Sequence, residues 1–253
     1  MKAFIKKEWM EMTRTGRLMI LGIVFILFGI MNPAIAKLTP YIMDAYSDTL
    51  AESGFTIGEI TVNAMSSWQQ FYKNTPLILV IIILMCSGFL INEYNTGTLI
   101  QVVTKGLSRR KVLLAKMLVL YAEWTVLFGI YFGVTYAYTA YYWGEDEVKH
   151  LMFGVFMYWL LGMTALSLMV FFSTIAHNAG QVLLGTGGSF AVMLFLGYIP
   201  KLKKILPIRL MDGLEVITGT ARTGDYSGAI ITAAVIVAAA TVMSMTVFDR
   251  RQL

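Results

Sequence analysis

Residues Asn92 to Lys111, NEYNTGTLIQVVTKGLSRRK, lie between two long apolar runs and carry Lys105, Arg109, Arg110 and Lys111 within seven positions. Positive charge beside an apolar span is retained on the cytoplasmic side during insertion, so this loop is expected to face the cytoplasm. Outward from it, apolar runs cover 18–36, 76–91, 112–136, 151–175, 182–199 and 229–247. Each is close to the length of helix that crosses about 30 Å of hydrocarbon, the 76–91 run being short. The expected fold is an all-α integral membrane protein, 1–253 forming one transmembrane domain of six helices. Segments 37–74 and 200–228 then fall outside the cell, and both termini share the side of the 92–111 loop. With Lys116 counted in that loop, 12 of the 20 lysines and arginines lie on the loop side. The basic 200–209 stretch runs against the trend and reads as an outer amphipathic segment touching headgroups.

Composition supports the same class. The chain is 57% hydrophobic and 14% charged, with a mean hydropathy of +0.69, whereas soluble domains carry about 25% charged residues. The net charge of +5 matches the positive-inside bias and points to membrane lipid rather than nucleic acid. The lone cysteine, Cys86, sits in an apolar run and excludes an internal disulfide or a cysteine metal cluster. The basic start runs into an apolar stretch long enough to span, which predicts a retained first helix rather than a cleaved signal.

Residues 1–15 have the period of an amphipathic helix lying in the membrane interface. Met1, Phe4, Ile5, Trp9 and Met12 share one arc, with Lys2, Lys6, Lys7 and Arg14 around the rest. Trp9 is expected at headgroup depth. Glu8 breaks the apolar arc, so it either snorkels or meets a partner or the basic loop. Pro33 sits near the outer end of the first span, and Thr39-Pro40 reads as a cap and first turn of a short external helix. A second is expected from Thr56 or later towards Trp68, and the second span is expected either to begin before Pro76 or to thin the bilayer. Gly129, Gly133 and Ala137 form a small-residue seam for helix packing, and Gly185, Gly187 and Gly188 are expected to allow close approach rather than to bind phosphate.

No nucleotide-binding, zinc-protease or serine-hydrolase motif is present, and His150 and His177 lie at opposite ends of the fourth span. Glu93 stands where the second span leaves the membrane and can accept from backbone N–H groups or a nearby lysine or arginine. Thr96 or Thr98 can cap a short helix bearing Leu99, Ile100, Val102 and Val103, with Gly106 ending it and Ser108 capping the third span. Such a helix, tipped by Arg109 and Arg110, suits docking into a soluble partner. Glu123 is the acid well inside a span; unpaired in lipid it would cost about 2.5–3.5 kcal/mol, so it must face the protein interior, water or another polar group.

The series Glu93, Gly97-Thr98, Ser108-Arg109 and Lys116 resembles the cytoplasmic signature of ABC-2-type transporter permeases, and Lys6-Lys7-Glu8 on an interfacial helix resembles that family's N-terminal elbow. The likeness covers nearly the whole layout but about thirty residues of motif, and Gly106 stands where the family often has proline. It implies a dimer of six-helix subunits, identical or paralogous, in the plasma membrane. Each subunit would be bound by an ABC-type ATPase subunit that carries the ATP and Mg, no cofactor being held by this chain. Glu93, Gly97, Thr98, Leu99, Val102, Val103, Ser108, Arg109 and Arg110 would form the coupling element, with Glu123, Tyr131 and Tyr138 along a substrate or gating path. Aromatic residues on spans three and four (Tyr131, Tyr138, Phe156, Trp159) favour export of a hydrophobic or amphipathic cargo: a peptide, drug or lipid-like molecule. Exporters of antimicrobial peptides are the nearest kind by analogy. Two other classes compete: a membrane-embedded enzyme using Glu93 or Glu123 as acid or base, which would need a carboxylate or metal-ligand cluster not visible in the sequence, and a partner-binding immunity or scaffold protein.

Overall fold

The computed structural model describes residues 2–46, 62–99, 104, 106, 108–144 and 148–251, with side chains from Phe4 onward. It is all-α, with no strand among the described residues. Helix α1 (Lys2–Arg14) precedes α2 (Arg17–Ala45), α3 (Ala64–Cys86), α4 (Ile91–Thr96), α5 (Arg109–Trp143), α6 (Leu151–Ile175) and α7 (Ala179–Gly197). A short α8 (Pro200–Lys203), a 3-10 turn (Pro207–Asp212), α9 (Gly213–Ile217) and a second 3-10 turn (Thr223–Tyr226) lead into α10 (Ser227–Arg250). Six segments are long and apolar enough to cross a membrane: α2, α3 with α4, α5, α6, α7 and α10 with its preceding turn.

Proline positions explain how α2, α3, α5 and α6 assemble. A proline inside a helix removes one N–H and orphans the carbonyl four residues earlier, and in lipid that carbonyl must find another donor. Pro33 in α2 frees the carbonyl of Gly29, and Thr135 Oγ1 on α5 lies 3.1 Å from it. The threonine shares this proton with its own helix at Tyr131 O, 3.0 Å away. Gly29 makes the approach possible, since a Cβ there would lie 2.9 Å from Val134 Cβ. Pro76 in α3 frees the carbonyl of Tyr72, and the Tyr158 hydroxyl of α6 donates to it at 3.2 Å. Tyr158→Phe should therefore destabilise the fold by about 1–3 kcal/mol, the cost of an unmet buried carbonyl; a denaturant titration indistinguishable from wild type would refute this role.

A buried polar layer continues beside the two prolines. Asn74 donates to Asn32 (2.8 Å), Asn32 donates to Tyr131 (3.1 Å) and Thr135 (3.0 Å), and Tyr131 donates to the Phe71 carbonyl (3.0 Å). Phe71 and Tyr131 stack with centroids 4.6 Å apart. The layer joins α2, α3 and α5 into one unit. On α6, Gly154 and Gly162 give room for Tyr72 and Trp124.

Several expectations are corrected. Thr39-Pro40 opens no new helix: both lie inside α2, and the Thr39 hydroxyl donates backwards to Ile35 O at 2.8 Å instead of accepting from N–H groups ahead. Of the two alternatives for the second span, the early start holds: it begins well before Pro76, at Ala64, behind an Asn63–Ser66 capping box, so Trp68 belongs to α3. The short helix expected from Thr56 falls partly outside the described residues. Gly129 and Gly133 meet nothing within 4 Å of an added Cβ, so that seam faces out of the subunit, whereas Gly185 does pack, against Phe172. Segment 200–228 folds onto the bundle. Leu210, Val216, Ile217 and Tyr226 are fully buried, because the 3-10 turns and α9 pack on α6 and α10. Helices α2, α7 and α10 keep broad apolar surfaces exposed, including Leu27, Leu184, Phe195 and Val235.

Candidate functional site

The charged junction lies at one end of the bundle, where α1, the first turn of α2, α4 and the start of α5 converge. Helix α1 turns Phe4, Glu8 and Met12 inward, a spacing of four that makes one helical face, and leaves Trp9 and Lys6 outside. Glu8 is 8% exposed and bonds Lys116 of α5 at 2.6 Å. Glu93, on α4, reaches the same ammonium at 3.0 Å. Lys7 lies 3.0 Å from Glu8, 2.7 Å from Glu11 and 3.3 Å from Glu93. Two ammonium groups thus tie three carboxylates from two helices to the base of a third. Two turns further along α5 from Lys116, Arg17 pairs with the fully buried Glu123 at 2.8 Å.

The electrostatics follow from this packing. Burial alone would lower Lys7, but its bonds to Glu11 and Glu8 and the charge of Glu93 hold its ammonium above the ordinary lysine range. The bond from Lys7 is also the main cause that holds Glu11 below the ordinary carboxylate range. A depressed carboxylate contributes stability above its unfolded value, and that contribution is lost as pH falls through its folded value. A fluorophore on a Trp9→Cys variant, Cys86 being buried, should hold its signal from neutral pH to about pH 5 and shift below about pH 4. Glu11→Gln should remove the Glu11 share of that transition; an identical pH profile would show that Glu11 does not set it.

Glu8, Glu11 and Glu93 place oxygen atoms within 4.8 Å of one another, a carboxylate cluster that the sequence did not reveal. The Lys7 ammonium stands among them as the cation. A metal ion would have to displace Lys7, so the arrangement fits an ion-pair joint better than a metal centre.

The loop itself starts at Gly97, whose φ of +67° ends α4, and turns again at Gly106, with φ +90°. Both are conformations that side chains resist. The Thr96 hydroxyl closes the preceding helix on Asn92 O (2.9 Å) and touches Thr98 (3.2 Å), so it caps nothing ahead. Thr98 and Leu99 begin a new helical turn; Val102 and Val103 lie outside the described residues. Leu99 is 1% exposed in the subunit core, which withdraws it from any external contact. Ser108 occupies the cap position of α5 without a side-chain cap bond. Arg109 donates to the carbonyls of Asp249 and Arg251, and Arg110 pairs with Asp249. Arg251 in turn donates to Thr174 O and Ala176 O, both at 2.8 Å, and its guanidinium stacks 4.0 Å over Tyr94. The last turn of α10 and Arg251 therefore clasp the beginning of α5 to the end of α6.

Glu123, Tyr131 and Tyr138 do not meet. Glu123 is paired with Arg17, Tyr131 is held in the buried polar layer, and Tyr138 is 42% exposed beside Tyr142 and Lys37 in a cleft of about 280 Å³. Arg17 and the Asp249–Arg251 clasp were missed in the sequence. Arg17 read as a topology charge, and its spacing of 106 residues from Glu123 carries no local signal.

Six apolar helices, three of them tied at one end by a polar junction, define a multi-pass membrane protein. The chain belongs to the ABC-2 transporter family: the family described as ABC-2 family transporter protein matches residues 3–253. It is also 25% identical over 236 residues to the uncharacterized transmembrane protein YxlG of Bacillus subtilis (strain 168), a match covering 90% of this chain and 88% of that protein. The family makes this chain a membrane component of a transporter, that is, a permease-type subunit.

Proposed function

We propose that the chain is the permease subunit of an ATP-driven exporter in the plasma membrane, working as a dimer with a separate ABC-type ATPase bound at the 92–111 loop. Its cargo is a hydrophobic or amphipathic molecule, and the loop and both termini face the cytoplasm. The observation that carries this reading is the junction of Glu8, Glu93, Lys7 and Lys116. It ties the segment entering the loop to the span leaving it and to α1, so a push on the loop moves three elements together. Such a device transmits work only if the partner contacts it differently in two states.

The test uses co-purification with an ABC-type ATPase expressed together with this chain. Arg109 is committed to carbonyls of the last turns, so the exposed Arg110 and Lys111 are the better probes. Arg110→Glu with Lys111→Glu should release the ATPase, while Asp249→Ala, which removes only the internal partner of Arg110, should retain it. Equal recovery by wild type and the double variant would place the docking surface elsewhere, and failure of the wild type to alter ATP turnover would end the exporter reading.

A further inference from the structure

A cavity of about 360 Å³ opens beside the junction, between α1, the first turn of α2, residues 85–93 and α5. Two of the residues that line it carry an unmet acceptor and an unmet donor. Glu93 lines it and is 7% exposed, yet its Oε2 has no hydrogen-bond partner among the described residues. Arg17 lines it too, and its Nε is likewise buried without a partner. Groups of this kind are normally satisfied. Thr15 and Asn92 add polar groups to the lining, and two apolar lining residues, Ile20 and Met85, are 49% and 38% exposed. The cavity therefore opens sideways onto the surface that faces lipid.

We propose that this cavity is a binding site for a zwitterion joining a primary ammonium to a phosphodiester, taken from the bilayer as an ethanolamine phospholipid headgroup. The ammonium donates to Glu93 Oε2, a phosphate oxygen accepts from Arg17 Nε, and the acyl chains leave past Ile20 and Met85. A choline headgroup carries the same charge but no N–H to donate, so it cannot satisfy the carboxylate. An anionic glycerol headgroup offers the phosphate and no cation. The site does not depend on the exporter reading, because it concerns what this subunit holds and not what it moves.

The experiment is native mass spectrometry of the purified full chain in detergent containing dioleoyl phosphatidylethanolamine, phosphatidylcholine or phosphatidylglycerol. Wild type should retain the ethanolamine lipid about tenfold better than either of the others, the scale of one charge-assisted hydrogen bond. Glu93→Gln should bring ethanolamine and choline lipids to parity. Ile20→Trp, which fills the cavity from its lipid side without touching a charged residue, should reduce ethanolamine-lipid retention by a similar factor. Equal retention of ethanolamine and choline lipids by wild type would overturn the site, as would undiminished retention by Ile20→Trp. Displacement of the lipid by millimolar glycerophosphoethanolamine would overturn the bilayer as its source and assign the cavity to a soluble zwitterion.

Discussion

Lys116→Ala is expected to lower the stability of the purified subunit by about 3–5 kcal/mol, the usual consequence of removing one partner from a buried ion pair. Lys116 is 4% exposed and lies between Glu8 and Glu93, which are themselves buried. Without it, Lys7 alone would have to answer three carboxylates, and its own side chain is 42% exposed. Lys116→Met combined with Glu8→Gln and Glu93→Gln should recover most of the loss, since the penalty comes from stranded charge and not from the ion pairs as such. Unfolding of the detergent-solubilised protein measures both. A loss below about 1 kcal/mol for Lys116→Ala would mean that the junction is open to water and contributes little.

Glu93→Ala separates stability from coupling. Lys116 keeps Glu8 and Lys7 keeps Glu8 and Glu11, so charge balances and insertion and folding should survive. What is lost is the tie between α4 and the start of α5. In the proposed exporter, ATP turnover by the partner should continue while transport falls by about tenfold or more, within the usual 1–3 kcal/mol range of coupling energies. Vesicles loaded with partner ATPase and a fluorescent cargo test this. Transport at the wild-type rate would remove Glu93 from force transmission, while leaving the lipid site above to its own measurement.

The membrane class and the six spans were legible because a span is a local property: a run of apolar residues long enough for the bilayer. Two individual residues were legible for a related reason. Glu8 interrupts an apolar arc and Glu123 an apolar run, so Glu8 was open either to snorkelling or to a contact with a partner or the basic loop, and Glu123 had to face the interior, water or a polar group. Which partner was not legible. Lys116 and Arg17 lie 108 and 106 positions away from Glu8 and Glu123, and helical periodicity carries no information at that distance. Thr39-Pro40 misled because the local pattern of a cap is the same whether or not the helix already exists. Here α2 arrives already formed, and one missing N–H does not stop it. Leu99 misled differently: an apolar residue in a loop can face a partner or its own core, and only packing decides. The 200–228 segment was read from its lysines, while its placement is set by Leu210, Ile217 and Tyr226.

The hydroxyls of Thr135 and Tyr158 have a meaning that extends beyond this one chain. Each answers a vacancy created by a ring on another helix, so neither the ring nor the hydroxyl has its full value alone. Drift that replaces Pro33 or Pro76 restores the backbone's own donor and leaves the distant hydroxyl without that task; drift that removes the hydroxyl first strands a carbonyl in hydrocarbon. Among descendants of this sequence the members of each couple should therefore tend to disappear in a fixed order, the ring before its remote companion.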